Sequence, residues 1–582
     1  MFRPTNPQRS MFESEYVVPD AKAQRLRKSW AEVFRSRVLP AIDEEIFRDA
    51  FSSSNGRPNK PVRLLMGLHL LKDWHDLTDE QVIEQFEYNL QWHYALGVPP
   101  EEAHVCQKTL HNFRVLLMES GRAQAVFEDV TRALAEGDGV KLGRQRMDST
   151  HVLSNIASLT RLGVFVETVA NFLKELGREH PEEQKTLNAE FHRRYLDREG
   201  YFSDAKRSQA QRRLPVVARD VYALLLRFRE VEAVRELASF GLLQRLFDEQ
   251  CELRDEDDDR SSDGNDAPGE DQDSSSTAGS EMARVQLKAP AAIKTTTLQS
   301  PYDPDATYGR KGKGYEVQVA ETCDEDNPYQ LITTTAVNGA HESDQRATIP
   351  ILEQLDDAGM KPEVMIADTG YGSGANIVAA AERDVELLAP VQDPDAPSRP
   401  EVFTQPAADV TPRVEPAAPQ PGLDANFGST LSCFVFDTTC HEIICCPGGQ
   451  VPARQHVAGV RLEARFEPGA CGDCAMAERC PTKVLKDGGR RFSRAPATIA
   501  TEIRQVEQQQ GHFKDRYRIR SGIESTNAEL KGRHGLGALR VRGKTRVELA
   551  VTLKSLALNV KRAAAHHVQI LVEVTQPAPC PA

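Results

Sequence analysis

Long apolar runs are absent from this sequence. No stretch approaches the ~18 residues that cross a bilayer. The opening residues, Met1-Phe2-Arg3-Pro4-Thr5-Asn6-Pro7, contain no apolar segment of the kind that directs secretion. A membrane-spanning helix is thereby excluded, and a soluble, cytoplasmic protein with no membrane partner is expected. An even, regularly spaced cysteine framework is lacking too. The 11 cysteines are odd in number and come without a secretion signal, so a disulfide-stapled scaffold is not expected. No internal repeat is found. At 582 residues the chain is long enough for three to five units of ordinary size, which excludes a single small binding module.

Basic charge also looks scarce, but only in the total. The formal charge is −14, yet residues 255–281 hold 11 acids against Arg260 alone. Residues 486–562 carry 18 Lys/Arg against 7 Asp/Glu, a local excess of 11 positive charges. Attraction to phosphates is local and is screened beyond ~10 Å at 0.1 M salt, so this asymmetry says more about partners than the net charge does. A solvated helical surface accounts for it as well as DNA contact does.

Seven of the cysteines fall within residues 433–480. Cys446, Cys471, Cys474 and Cys480 form a C-x24-C-x2-C-x5-C pattern, and the Cys471-x2-Cys474 pair suits tetrahedral thiolate ligation of zinc. Cys440, His441 and Cys445 are spare ligands. A cluster of reduced, partly buried thiols is the alternative.

The pattern along the chain divides it into segments. Residues 1–135 read as helical. Thr78-Asp79-Glu80-Gln81 is a capping box, followed at helical spacing by Ile83, Phe86, Leu90 and Tyr94, with Gly97-Val98-Pro99-Pro100 as the stop. A second helix near 107–120 turns Leu110, Phe113 and Leu117 inward. Its other face carries Gln107, His111 and Arg114 with Lys108 and Asn112, residue types that match base edges and phosphates. These features predict a helix-turn-helix-like DNA-binding domain with Lys108 and Arg114 as contacts; a plain helical bundle fits the pattern also. Residues 161–300 read as a helical insertion with an acidic, disordered linker, and 393–500 as an irregular, Cys-rich insertion.

Between these lies an α/β pattern. Residues 140–147 read as a strand running into Asp148, 315–322 and 331–337 as two more, 343–358 as a helix, 364–367 as a buried strand ending at Asp368, 374–383 as a helix and 385–389 as a last strand. The order β-β-β-α-β-α-β is that of an RNase H-like core, so the expected fold class is α/β. Its first part would span 136–160, its second 301–392, and a basic helical part 501–565, with 566–582 as a tail. An Asp on a buried strand is costly unless compensated, and a divalent cation is one compensation. Capping of a following turn is another. A third acid lies in Tyr517-Arg518-Ile519-Arg520-Ser521-Gly522-Ile523-Glu524. On one continuous helix Tyr517, Arg520, Glu524 and Lys531 would share a face; alternatively Ser521-x-x-Glu524 is a capping box that starts the helix later.

On these residues the chain resembles the DDE transposases of bacterial insertion sequences, in the group whose third acid lies in a Tyr-x2-Arg-x3-Glu-x6-Lys pattern. Tyr517, Arg520, Glu524 and Lys531 match that spacing, and Asp148 and Asp368 stand where the first two acids would. The resemblance implies Asp148, Asp368 and Glu524 as catalytic ligands of two Mg²⁺ ions about 3.5–4 Å apart, with Mn²⁺ able to substitute. It implies cleavage at transposon ends followed by strand transfer into target DNA, with Tyr517, Arg520 and Lys531 gripping the DNA. It further implies double-stranded DNA partners, a homodimer in the DNA complex and association with the bacterial nucleoid. His151 gets no catalytic role, and Lys311 and Lys313 are either phosphate contacts or an exposed turn. The rival readings are a catalytically inactive transposase descendant that binds DNA, another RNase H-like nuclease, and a zinc hydrolase built on the cysteines. All-thiolate zinc sites are characteristically structural, which ranks the last one lowest.

Overall fold

The computed structural model describes residues 18–52, 58–156, 159–197, 207–254, 284–392 and 434–575, with short gaps at 437–441, 447, 459–460, 473, 475–476 and 478–479, together with Phe2, Pro4 and Thr5. The acidic stretch 255–283, the proline-rich 393–433, and Cys440 and His441 lie outside the described residues.

The N-terminal part is helical, with α1 (Val62–Trp74), α2 (Asp79–Tyr88), α3 (Leu90–Leu96), α4 (Gln107–Ser120) and α5 (Arg122–Asp138) as its main elements. The capping box forms: Gln81 N–H donates to Thr78 Oγ1, and the Thr78 N–H donates to Gln81 Oε1. The expected single helix from that box to Gly97 is instead two. Asn89 is extended and its Oδ1 accepts the N–H groups of Gln91 and Trp92, so it caps α3 as α2 ends. Val82 and Phe86 are buried, and Ile83 and Leu90 only half-buried.

The central mixed sheet contains β1 (Arg144–Val152), β2 (Gly312–Thr322), β3 (Ile332–Gly339), β4 (Val364–Ile366) and β5 (Glu386–Leu388) in the order β3-β2-β1-β4-β5. β1 and β3 are antiparallel to β2; β1, β4 and β5 are mutually parallel. A three-residue strand, Thr307–Gly309, extends the start of β2 as a tight hairpin. Gly314 there has φ +135°, and a Cβ would overlap the Val152 carbonyl, so only glycine lets β2 run against the end of β1. β1 begins four residues later than expected and continues through Asp148, which lies mid-strand rather than at its end. The helix expected after β3 is α9 below, and Ser343 caps it.

The insertion after β1 packs α6 (Arg161–Glu179), α7 (Arg207–Phe228) and α8 (Ala238–Gln250) around its own apolar core. It closes with a short antiparallel ladder, Cys251–Leu253 against Val285–Leu287. On the sheet, α9 (Asp344–Asp357) follows β3 and α10 (Gly374–Ala381) follows β4. The described part of the segment expected to be irregular carries a four-stranded antiparallel sheet. Three of its strands are β6 (Arg454–Ala458), β7 (Arg461–Phe466) and β8 (Arg490–Arg494); Lys483–Val484 pairs on the outside of β8. The chain ends in α11 (Pro496–Glu507), α12 (Gly511–Tyr517), α13 (Ile523–Gly532) and the 32-residue α14 (Lys544–Thr575).

α14 decides the architecture. Val547, Val551, Leu556, Leu558 and Val560 join one apolar core with α1, α4, α5 and the faces of β2 and β3. Buried polar groups pin it. Lys554 pairs with Asp73 in the last turn of α1 and with Asp76 just after it, at 3.3 and 3.1 Å. Asn559 accepts from Ile332 N–H and donates to its carbonyl, both at 2.7 Å, at the head of β3. The N-terminal helices are therefore part of the body that holds the sheet, not a separate head. Among the described residues no helix is long and apolar enough to cross a membrane.

Candidate active site

The register of the sheet brings the first two acids together. Arg146 in β1 pairs with Ile366 in parallel β4, so two residues further on Asp148 stands level with Asp368. Asp368 follows the carboxyl end of β4, the edge at which parallel sheets gather ligand-binding groups. Its Oδ1 accepts the Gly370 N–H at 2.7 Å, so it caps a turn as well as facing the site. The turn-capping reading of this residue is therefore met by a hydrogen bond.

The third acid arrives differently from a one-face helix. α12 ends at Tyr517, residues Arg518–Gly522 form a 3-10 turn, and α13 starts at Ile523 with Glu524 in its first turn. Ser521 does not cap it; its hydroxyl donates to the Arg518 carbonyl. Tyr517 and Arg520 therefore lie before the helix, and the turn aims Arg520 back into the site. Its guanidinium lies 3.0 Å from Asp148 Oδ2, 3.2 Å from Glu524 Oε1 and 3.8 Å from Asp368 Oδ2. Three carboxylates from three separate elements thus surround one cation. Asp148 is the most enclosed, with 14% of its side chain exposed, against 65% for Glu524.

Burial sets the electrostatics. It raises the Asp148 carboxyl above its ordinary 3.8, and the Asp368 charge adds to this, while Arg520 and the Ser149 N–H oppose it. Burial would depress the Arg520 guanidinium, but Asp148, Tyr517 and Asp368 outweigh it and raise it. Burial raises the Tyr517 phenol; the partial burial of Lys531 lowers its ammonium, and neighbouring Lys311 lowers it further. Because the folded state holds the Asp148 proton at pH values where the unfolded chain has lost it, this carboxyl makes folding less favourable as pH rises from 3.8 through its raised value. Arg520 is the cation that limits that cost. Arg520→Gln is expected to cost about 1–3 kcal/mol at pH 8 and much less at pH 4, read as the unfolding midpoint in EDTA.

A second network holds the acids in place and was not anticipated from the sequence. Glu321 of β2 is fully buried. Its Oε1 accepts from Arg146 Nε and Nη2 at 2.9 and 2.7 Å. Its Oε2 accepts from Thr526 Oγ1 at 2.7 Å and Arg562 Nη1 at 3.0 Å. Arg146 also donates to the Ile519 carbonyl at 2.7 Å. This ties β1, two residues before Asp148, to α13, two residues after Glu524. Gly522 lies against it, and a Cβ there would overlap Arg146 Nη1. The only sequence signal was a charged residue inside an apolar strand.

The other expected residues are placed as follows. Lys531 is exposed on α13. Lys311 pairs with Glu316 at 2.5 Å, and Lys313 donates to the Leu159 carbonyl. His151 Nδ1 lies 3.7 Å from Glu316. Leu110, Phe113 and Leu117 of α4 are buried, while Gln107, Lys108, His111 and Asn112 are exposed. Arg114 is held by Asp79 at 2.6 Å. It lines, with His111, Asn155, Arg540, Arg542 and Arg546, a cleft of about 460 Å³. The basic excess near the C-terminus is partly spent inside the fold, on Lys554, Lys561 and Arg562. Cys446, Cys471, Cys474 and Cys480 all line one small cavity. As the side chains stand, no three His, Cys, Asp or Glu among the described residues are grouped to hold a metal ion.

Comparison with known proteins adds the family. A model of the transposase DDE domain matches residues 445–564, the part that holds the cysteine cavity, Arg520 and Glu524. A second, the transposase domain DUF772, matches residues 24–116, most of the N-terminal helices. Both are transposase domains, and together they support a DDE transposase of an insertion sequence. An uncharacterized protein, ORF8 in the nfe locus of Rhizobium meliloti, is 33% identical over 99 residues, 16% of this chain. The chain spans about half the length of that curated relative, 48%. No solved structure matches the chain.

Proposed function

We propose that this protein is a DNA transposase that cuts at the ends of its element and transfers the freed strand into target DNA, using a divalent metal at Asp148, Asp368 and Glu524. The observation that carries this is the convergence of the three carboxylates on one cation, from a mid-sheet strand, a strand end and a helix start. The strand order, with two antiparallel strands beside three parallel ones, supports reading the core as RNase H-like. The DDE-domain match over the third acid supports the same reading.

The donor set fits Mg²⁺, or Mn²⁺ in its place: hard carboxylate oxygens already gathered about a positive charge. The chemistry a bound divalent ion supplies is activation of an attacking oxygen and neutralisation of charge on the phosphate. The chain's own residues do the rest. Arg520 draws the three acids together and is placed to pair with a phosphate beside them. Lys531 and Tyr517 border the same acids and position the DNA strand. The exposed face of α4, with Lys108, and the cleft rimmed by Arg114, Arg540, Arg542 and Arg546 offer a path for duplex DNA. A second copy of the chain would serve the second element end. The expected setting is the bacterial nucleoid.

The test is incubation with labelled DNA carrying the flanking repeats of the protein's own locus, in Mg²⁺ or in EDTA. Metal-dependent 3′-end cleavage and joining is the expected result; tight binding without cleavage in any divalent metal overturns it. DNA affinity should fall with salt by ~0.9 log units per log unit for each phosphate neutralised, and Arg546→Ala should reduce that slope by about one such step. A salt-independent affinity removes the phosphate contacts.

A further inference from the structure

The cysteine cavity lies in the small sheet between β5 and the third acid. Cys446, Cys471, Cys474 and Cys480 come from a turn, a short helix and a following loop, yet all four line one space of about 20 Å³. A single water needs roughly 10–15 Å³, so the space is on the scale of one small sphere.

The turn that presents Cys446 brings a backbone donor onto its sulfur. Residues 446–450 read Cys-Pro-Gly-Gly-Gln. Cys446 N–H donates to the Gln450 carbonyl at 2.9 Å and Gly449 N–H to the Cys446 carbonyl at 2.8 Å, which closes the turn. The Gln450 N–H is then aimed at Cys446 Sγ, at 3.4 Å. Gly448 lets this turn approach the opposite side: a Cβ there would lie 2.7 Å from Cys474 Sγ and 3.8 Å from Cys446 Sγ. None of the four is in a disulfide. Cys471 and Cys446 also sit at the hub of a small apolar core with Phe434, Ile443, Phe466 and Phe492.

We propose that these four cysteines bind a single structural zinc ion, closing the small sheet that leads through β8 and α11 into the helix of the third acid. The proposal does not depend on the reading of the acidic site. The sulfurs border one cavity without being grouped for coordination, so binding requires the thiols to turn inward on the ion. Zinc takes four thiolates tetrahedrally, and closed sites of this kind contribute directly to folding. They suit a segment whose apolar core is this small.

The full chain, purified without added metal or chelator, should carry about one zinc per molecule by elemental analysis. Replacement by Co²⁺ should give the intense thiolate-to-metal charge-transfer and tetrahedral d–d bands of four sulfur ligands. Cys471→Ser combined with Cys474→Ser should lose the ion, whereas Glu524→Gln and Cys106→Ser should keep it. The cobalt spectrum of the wild type decides the matter even where the cysteine variant unfolds. Less than a tenth of a zinc per chain, as an order-of-magnitude threshold for specific binding, overturns the proposal. So do cobalt bands without sulfur charge transfer, zinc retained by the double variant, or a disulfide among the four.

Discussion

Glu524→Gln is expected to reduce metal-dependent DNA cleavage and joining by on the order of 10³-fold, since losing several kcal/mol of charge stabilisation costs tenfold for each ~1.4 kcal/mol. The fold should hardly respond. Glu524 is mostly exposed in the first turn of α13, and among the described residues it pairs with Arg520 at 3.2 Å. Surface substitutions of this kind change stability by about 0.5 kcal/mol or less. The measurement is strand cleavage and joining by wild type and variant in Mg²⁺, alongside their unfolding midpoints. Unchanged cleavage would remove Glu524 from the site. A large drop in stability would make it a structural residue. Asp148→Asn should abolish cleavage equally but with a stability effect of its own, because Asp148 is enclosed and already penalised by burial.

Glu321→Ala should be the most destabilising single substitution near the site, at about 3–5 kcal/mol, because it leaves buried Arg146 and half-buried Arg562 without their shared carboxylate. Thr526 loses its acceptor in the same step. The measurement is the denaturant midpoint of the transition that reports on the sheet. Cleavage should fall along with stability, since this network is what sets α13 against β1. A loss below about 1 kcal/mol would mean that water reaches the two arginines and replaces the carboxylate.

Much of the sheet was legible in the order of residues. Strands two to five of the central sheet and the helices between them fall within a few residues of their expected positions, because alternating and short apolar runs bounded by Asp, Gly and Ser carry a local signal. The capping box at Thr78 was equally local. The errors have local causes too. Asn89 ends one helix by capping the next, which an apolar period running across it conceals. The Tyr517 to Lys531 pattern fits one helix by spacing, but residues Arg518–Gly522 form a 3-10 turn, so the helix of Glu524 starts only at Ile523, as the alternative had it start later. The antiparallel sheet of β6 to β8 was hidden by a cysteine- and arginine-rich composition that resembles loop.

The sequence alone determined which side chains could do chemistry: three acids in order along an α/β pattern, a cation and a phenol near the third, and four clustered cysteines. Their types and local context are properties of short segments. Only the tertiary structure decided that Asp148, Asp368 and Glu524 meet on Arg520, that Glu321 clamps the strand of one to the helix of another, and that α14 makes the N-terminal helices part of the body that holds the sheet. These depend on strand register and on contacts between residues up to hundreds of positions apart. The free energy of such contacts comes from burying apolar surface and pairing buried charge once the chain has folded, and no short window of sequence contains both partners.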